Sequence, residues 1–268
     1  MQIILDIMAY PFLSRAIIVG LLISICSSLL GVSLIVKKYA MIGDGLSHVA
    51  FGSLAIASAL SMTPMLFAIP TVLIAAFLLL RLNHSNQIKG DSAIAIISTT
   101  ALAIGVIVSS KASTNIDLSS YMFGSILSVS TDDVNITIIL SCIVVILFLL
   151  CYHKLFLVAF DEEFAKAIGV KVEHYNLLLS FLTAITIVIG MRIMGTLLMS
   201  SLLIFPTLSA MRLTKNYKTT IVVALLIAII VFMIGFVISY LFVIPTGASV
   251  VVVHFIVFVL VSLKRMLF

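Results

Sequence analysis

The sequence predicts an all-α protein: a polytopic membrane bundle of about nine helices, the length allowing eight to ten. Two observations carry this. Of 268 residues, 63% are hydrophobic and only 9% charged, with a mean hydropathy of +1.37; a soluble domain carries about 25% charged residues. The apolar residues also fall into long runs, and a membrane span needs about 20 of them. One soluble core cannot hide this much apolar surface. Composition therefore excludes a soluble enzyme, a nucleic-acid-binding domain and a disordered chain, and leaves no room for a separate catalytic domain. The net charge of +5 and pI near 9.2 are read through the positive-inside rule, not as a nucleic-acid signal.

The elements follow in order. No Lys or Arg precedes Arg15, and Asp6 stands where a signal peptide would be basic, so the N-terminus is expected to be retained as the first span. Apolar runs broken by charges place helices near 16–36, 46–61, 64–80, 91–109, 136–152, 175–191, 194–211, 220–241 and 246–263. Two pairs read as tight hairpins, turning at Ser61-Met62-Thr63-Pro64 and at Arg192. The short loops make residues 1–268 one transmembrane domain, without a strong internal repeat. Cys26, Cys142 and Cys151 lie in apolar segments and are read as small core residues, without a disulfide framework.

Lysine and arginine fix the orientation. With the C-terminus inside and nine spans, twelve of the fifteen bases fall in inner loops, and only Arg15, Lys111 and Arg192 lie outside. The N-terminus is then outside, and Asp117, Asp132 and Asp133 fall in an outer loop. The largest inner loop is 153–174. No GxxxxGK[ST] occurs, so any ATP-driven work needs a partner.

The informative residues are the polar ones within apolar stretches, because a charge near the bilayer centre costs about 2.5–3.5 kcal/mol. Asp44 and His48 stand at i, i+4 in Gly43-Asp44-Gly45-Leu46-Ser47-His48, which puts carboxylate and imidazole on one helical face. One oxygen and one nitrogen donor suit a divalent transition metal held weakly enough to release. The alternative is an Asp N-cap and a histidine bonded to a neighbouring helix. Arg192, near the outer face, reads as a gate or as an arginine snorkelling to headgroups. His254, alone in a valine-rich run, is expected to hydrogen-bond a neighbouring helix. In the 153–174 loop, Asp161-Glu162-Glu163-Phe164-Ala165-Lys166-Ala167-Ile168-Gly169 reads as a short amphipathic helix, acidic at its start and ended by Gly169. It reads equally as a partner-docking helix or as a helix lying on headgroups.

Six segments in this order resemble the permease family of bacterial manganese/zinc/iron ABC importers, over about Phe12 to Leu263. They are Ile42 to His48, Met122-Phe123-Gly124-Ser125-Ile126-Leu127, Asp161 to Gly169, Arg192 to Leu198, Ile204-Phe205-Pro206, and Pro245-Thr246-Gly247-Ala248. The resemblance implies a fold similar to the cobalamin-type importers and a homodimeric permease in the bacterial plasma membrane. A cytoplasmic ATPase would supply all ATP chemistry, and an extracytoplasmic metal-binding protein would deliver the ion. Asp44 and His48 would face the path, and Arg192 would lie at the outer gate. The 161–169 helix would couple to the ATPase through Asp161, Glu162, Phe164, Ala165 and Gly169. No enzymatic activity and no permanent cofactor are implied. The cargo is Zn, Mn or Fe, with zinc favoured by the 42–58 stretch. An acid common in relatives before the last-span Pro-Thr-Gly is absent, Val243 and Ile244 standing there. The competing readings are a proton-coupled secondary transporter with Asp44 and His48 as relay, and a siderophore-type permease. An intramembrane metalloprotease is disfavoured by the lack of HExxH and of glutamate in any span.

Overall fold

In a computed structural model the described residues, 10–84, 90–111, 123–124 and 129–267, are helical with short connections and no strand among them. The helices are α1 (Pro11–Val36), α2 (Ile42–Ala59), α3 (Pro64–His84), α4 (Gly90–Lys111), α5 (Thr131–Phe160), α6 (Glu162–Ala167), α7 (Val172–Met194), α8 (Thr196–Leu213), α9 (Tyr217–Phe242) and α10 (Thr246–Leu267). Among the described residues, nine longer helices overlap the nine apolar segments. Seven are long and apolar enough to cross a membrane by that criterion alone: all but α2 and α3.

α1 starts with Pro11 in its first turn, where the missing N–H costs nothing. It runs through the middle of the bundle, as does α7. After Val36 the chain reverses at Lys38, with φ +62°, and Tyr39 N–H bonds back to the Leu34 carbonyl at 2.8 Å. α2 is rich in small residues, which lets its neighbours come close. A Cβ on Gly52 would sit 2.5 Å from the Ala101 carbonyl oxygen of α4, the close approach that small residues permit between membrane helices. The α2–α3 turn falls at Ser61–Pro64, as the sequence predicts. Ser61 has φ +52°, and Met62 N–H closes on the Ala57 carbonyl at 2.9 Å.

Two boundaries differ from the sequence reading. The α7–α8 corner is at Gly195, not Arg192. Gly195 has φ +84° and ψ 162°, a conformation essentially restricted to glycine; Arg192 continues the helix. The second difference is α5, which runs for 30 residues, about 45 Å at the α-helical rise. It is therefore longer than a bilayer core of about 30 Å and absorbs the start of the 153–174 loop, because neither His153 nor Lys154 breaks a helix. Its other end also extends past the expected start. Ser130 and Asp133 form a capping box there, each side chain accepting the other's backbone N–H at 3.1 Å. Asp132 and Asp133 thus belong to the first turn of α5.

Candidate metal path and coupling surface

Asp44 is the third residue of α2. The helix starts at Ile42 after Met41, so Asp44 is not the N-cap. Its carboxylate lies in the first turn, where the helix dipole favours a negative charge. One turn on, His48 Nε2 stands 3.5 Å from Asp44 Oδ2. Asp44 Oδ1 accepts a hydrogen bond of 3.2 Å from Ser200 Oγ of α8. The side chains of His48 and Asp44 are 31% and 41% exposed, although Gly45, Leu46, Ser47 and Val49 between and beside them are buried. The pair therefore sits on a face of α2 that the described residues leave partly uncovered. No cluster of three or more His, Cys, Asp or Glu side chains with metal-binding geometry occurs among the described residues. The pair supplies one carboxylate and one imidazole, fewer than the four donors a structural zinc site takes.

His254 departs from its expected role. It is 1% exposed, and neither ring nitrogen has a hydrogen-bond partner among the described residues. Its ring instead stacks on Phe205, with centroids 6.4 Å apart and planes 11° apart. The backbone of Arg192 belongs to the last turn of α7, while its side chain lies outside the described residues, as do Met122 and Ser125–Leu127.

The predicted cytoplasmic helix is α6. Asp161 caps it, its carboxylate accepting Phe164 N–H at 2.9 Å. The end is a Schellman motif: Val170 N–H reaches the Ala165 carbonyl at 2.9 Å and Gly169 N–H the Lys166 carbonyl at 3.0 Å. Gly169 has φ +83°. The five residues assigned to this surface divide by direction. Phe164 is 56% exposed, and Ile168 beside them 52%. Ala165 is fully buried in a small core with Val158, Val170 and Val172. Glu162 is turned inward, bonded at 2.5 Å by Lys37 Nζ from the end of α1 and at 3.2 Å by Asn176 Nδ2 of α7. Lys37 also donates to Asn176 Oδ1. Sequence reasoning misses this three-helix knot, as it misses Ser200, because neither has a local spacing signal.

These helices and motifs define a membrane-transport permease. The sequence matches the ABC 3 transport family over residues 9–265, and the chain belongs to it. It is 31% identical over 252 residues to the "Manganese transport system membrane protein MntC" of Listeria monocytogenes, covering 94% of this chain and 90% of that one. It is 29% identical to the "Probable iron transport system membrane protein" of Haemophilus influenzae, covering 96% and 95% respectively. Its fold is similar to the solved structure "PsaBC from Streptococcus pneumoniae in complex with Fab", with a TM-score of 0.86, 28% identity, and 97% and 94% of the two chains covered.

Proposed function

We propose that this chain is the permease subunit of an ABC importer, carrying a divalent transition metal into the cytoplasm as a homodimer. A separate cytoplasmic ATPase supplies the energy and an extracytoplasmic binding protein delivers the ion. The observation that carries this is the Asp44–His48 pair, a carboxylate and an imidazole one turn apart on a partly uncovered face of an apolar bundle. Lipid is an expensive neighbour for such a pair. A water-filled path shared with a second copy is a cheap one, and two copies bring four ligands to one ion. The ion is cargo; nothing is held permanently. In this reading Arg192 stands at the outer gate, the C-terminus is cytoplasmic and the N-terminus outside. Phe164 of α6 and Ile168 at its C-terminal end are the exposed apolar residues that meet the ATPase. The 42–58 stretch favours zinc, whereas the names of the relatives favour manganese and iron. Oxygen and nitrogen donors accept all three, and we place manganese first.

The test is uptake of labelled manganese, iron and zinc by cells whose high-affinity importer contains this chain. Asp44→Ala and His48→Ala, expressed at normal levels, are expected to lose most uptake. Wild-type uptake by both variants would remove the transit site. Uptake by the purified chain alone in liposomes, driven by a pH gradient without ATPase, would instead establish a secondary transporter.

A further inference from the structure

Among the described residues, Ser200 is the group outside α2 that hydrogen-bonds the Asp44–His48 pair. Its single hydroxyl proton has two acceptors: Asp44 Oδ1 at 3.2 Å and the Thr196 carbonyl, one turn back along α8, at 3.1 Å. The next residue, Ser201, is 4% exposed and its hydroxyl has no partner among the described residues. The two adjacent serines thus face different surroundings, and only Ser200 reaches the pair.

Resting on the transit-site reading above, we propose that Ser200 is a positioning and selectivity residue of the metal path. With its proton on Asp44, Ser200 fixes the carboxylate so that Oδ2 faces His48. When a cation takes the carboxylate, the proton turns to the Thr196 carbonyl. One hydrogen bond is exchanged for another, and the carboxylate is freed with little reorganisation. The hydroxyl lone pairs then face the ion, and the donor set grows from one oxygen and one nitrogen to two oxygens and one nitrogen. Added oxygen shifts preference toward manganese and away from softer, four-coordinate zinc. The neighbouring α8 helix thereby senses the state of the ligands on α2 through one hydroxyl.

The experiment uses the complete transporter in cells, with initial rates measured against manganese and zinc concentration separately. Ser200→Ala is expected to raise KM for manganese about tenfold, because the ion loses an oxygen donor and Asp44 the group that positions it, with the maximal rate little changed. Its zinc KM should move less, so the manganese-to-zinc ratio falls. Ser200→Thr restores the hydroxyl and should restore the ratio, and Ser201→Ala should leave both metals unaffected. An unchanged manganese KM in Ser200→Ala overturns the proposal, as does a fall in maximal rate alone or a failure of threonine to rescue. If Asp44→Ala still abolishes uptake in that case, the transit site stands without Ser200. If Asp44→Ala also imports normally, both readings fall together.

Discussion

Lys37 and Glu162 are unequal partners, and the inequality can be measured. The Lys37 side chain is 4% exposed and that of Glu162 32%. Lys37→Met puts an apolar side chain of similar length into a buried site. It leaves Glu162 at the solvent edge, with the Asn176 bond of 3.2 Å still available. The expected cost is about 1–2 kcal/mol: the ion pair repays little more than the desolvation it requires, but the buried Asn176 Oδ1 loses its Lys37 donor. Glu162→Ala instead leaves a buried ammonium that keeps the Asn176 Oδ1 acceptor but loses its counter-charge. A fully buried pair broken in this way costs about 3–5 kcal/mol, and the partial exposure of Glu162 lowers this to roughly 2–4. The double variant should recover most of that loss. pH supplies a second readout. Burial is the larger influence on Lys37 and pushes its ammonium below the ordinary 10.5, with Glu162 pulling it back. The unfolded chain therefore holds this proton to higher pH than the folded one. The Lys37 contribution to stability rises with pH through the window that ends near 10.5, and is least favourable at neutral pH. Thermal unfolding of the detergent-solubilised protein across pH reads both effects, and Lys37→Met should flatten that slope. Equal losses from the two single variants, adding without rescue in the double, would refute the reasoning.

The coupling surface and the buried histidine give two more tests. Phe164→Ser should leave the unfolding temperature almost unchanged, since the ring is 56% exposed, but should abolish co-purification of the ATPase; Ala165→Leu should cost about 1–3 kcal/mol by overpacking, and the reverse pattern would place α6 the other way round. His254→Phe keeps the stack on Phe205 and removes two buried ring nitrogens that have no partner among the described residues, so it should stabilise the protein by about 1 kcal/mol or more with uptake intact; lost uptake in a stabilised variant would give the imidazole a role in transport.

What the sequence discloses depends on how local the physics is. Helices of a membrane protein are legible because each must be apolar over its own length. The Asp44–His48 pair is legible because i, i+4 geometry belongs to a single helix, and because charge is scarce enough in this chain for the pair to stand out. Gly195 is within reach too, since it stands three residues after Arg192 and competes with it for the turn, and glycine readily accepts φ +84°. The Ser200–Asp44 bond joins residues 156 apart and the Lys37–Glu162 bond residues 125 apart. Serine is an ordinary helix residue in an apolar run, and Lys37 looks like any flanking base. Their roles arise only when the bundle is assembled.

The same distinction explains why the family's segments are weak singly and specific together. Three of them converge in space. A Cβ on Gly124 would lie 2.4 Å from the Met194 carbonyl carbon and 2.8 Å from Gly195 N, and one on Gly247 would lie 2.8 Å from the Phe123 carbonyl oxygen and 3.1 Å from that of Met194. The Phe123-Gly124 piece, the α7–α8 corner and the first turn of α10 thus share one junction, and glycine is needed at each contact for steric reasons. These motifs record close backbone approach, not ligand chemistry. Asp44 of the Ile42–His48 segment is met by Ser200, near the start of the α8 helix that follows the glycine corner. The corner fixes where α8 begins, and so where Ser200 stands against Asp44. Small residues with no chemistry of their own thereby set the position of the hydroxyl next to the acid.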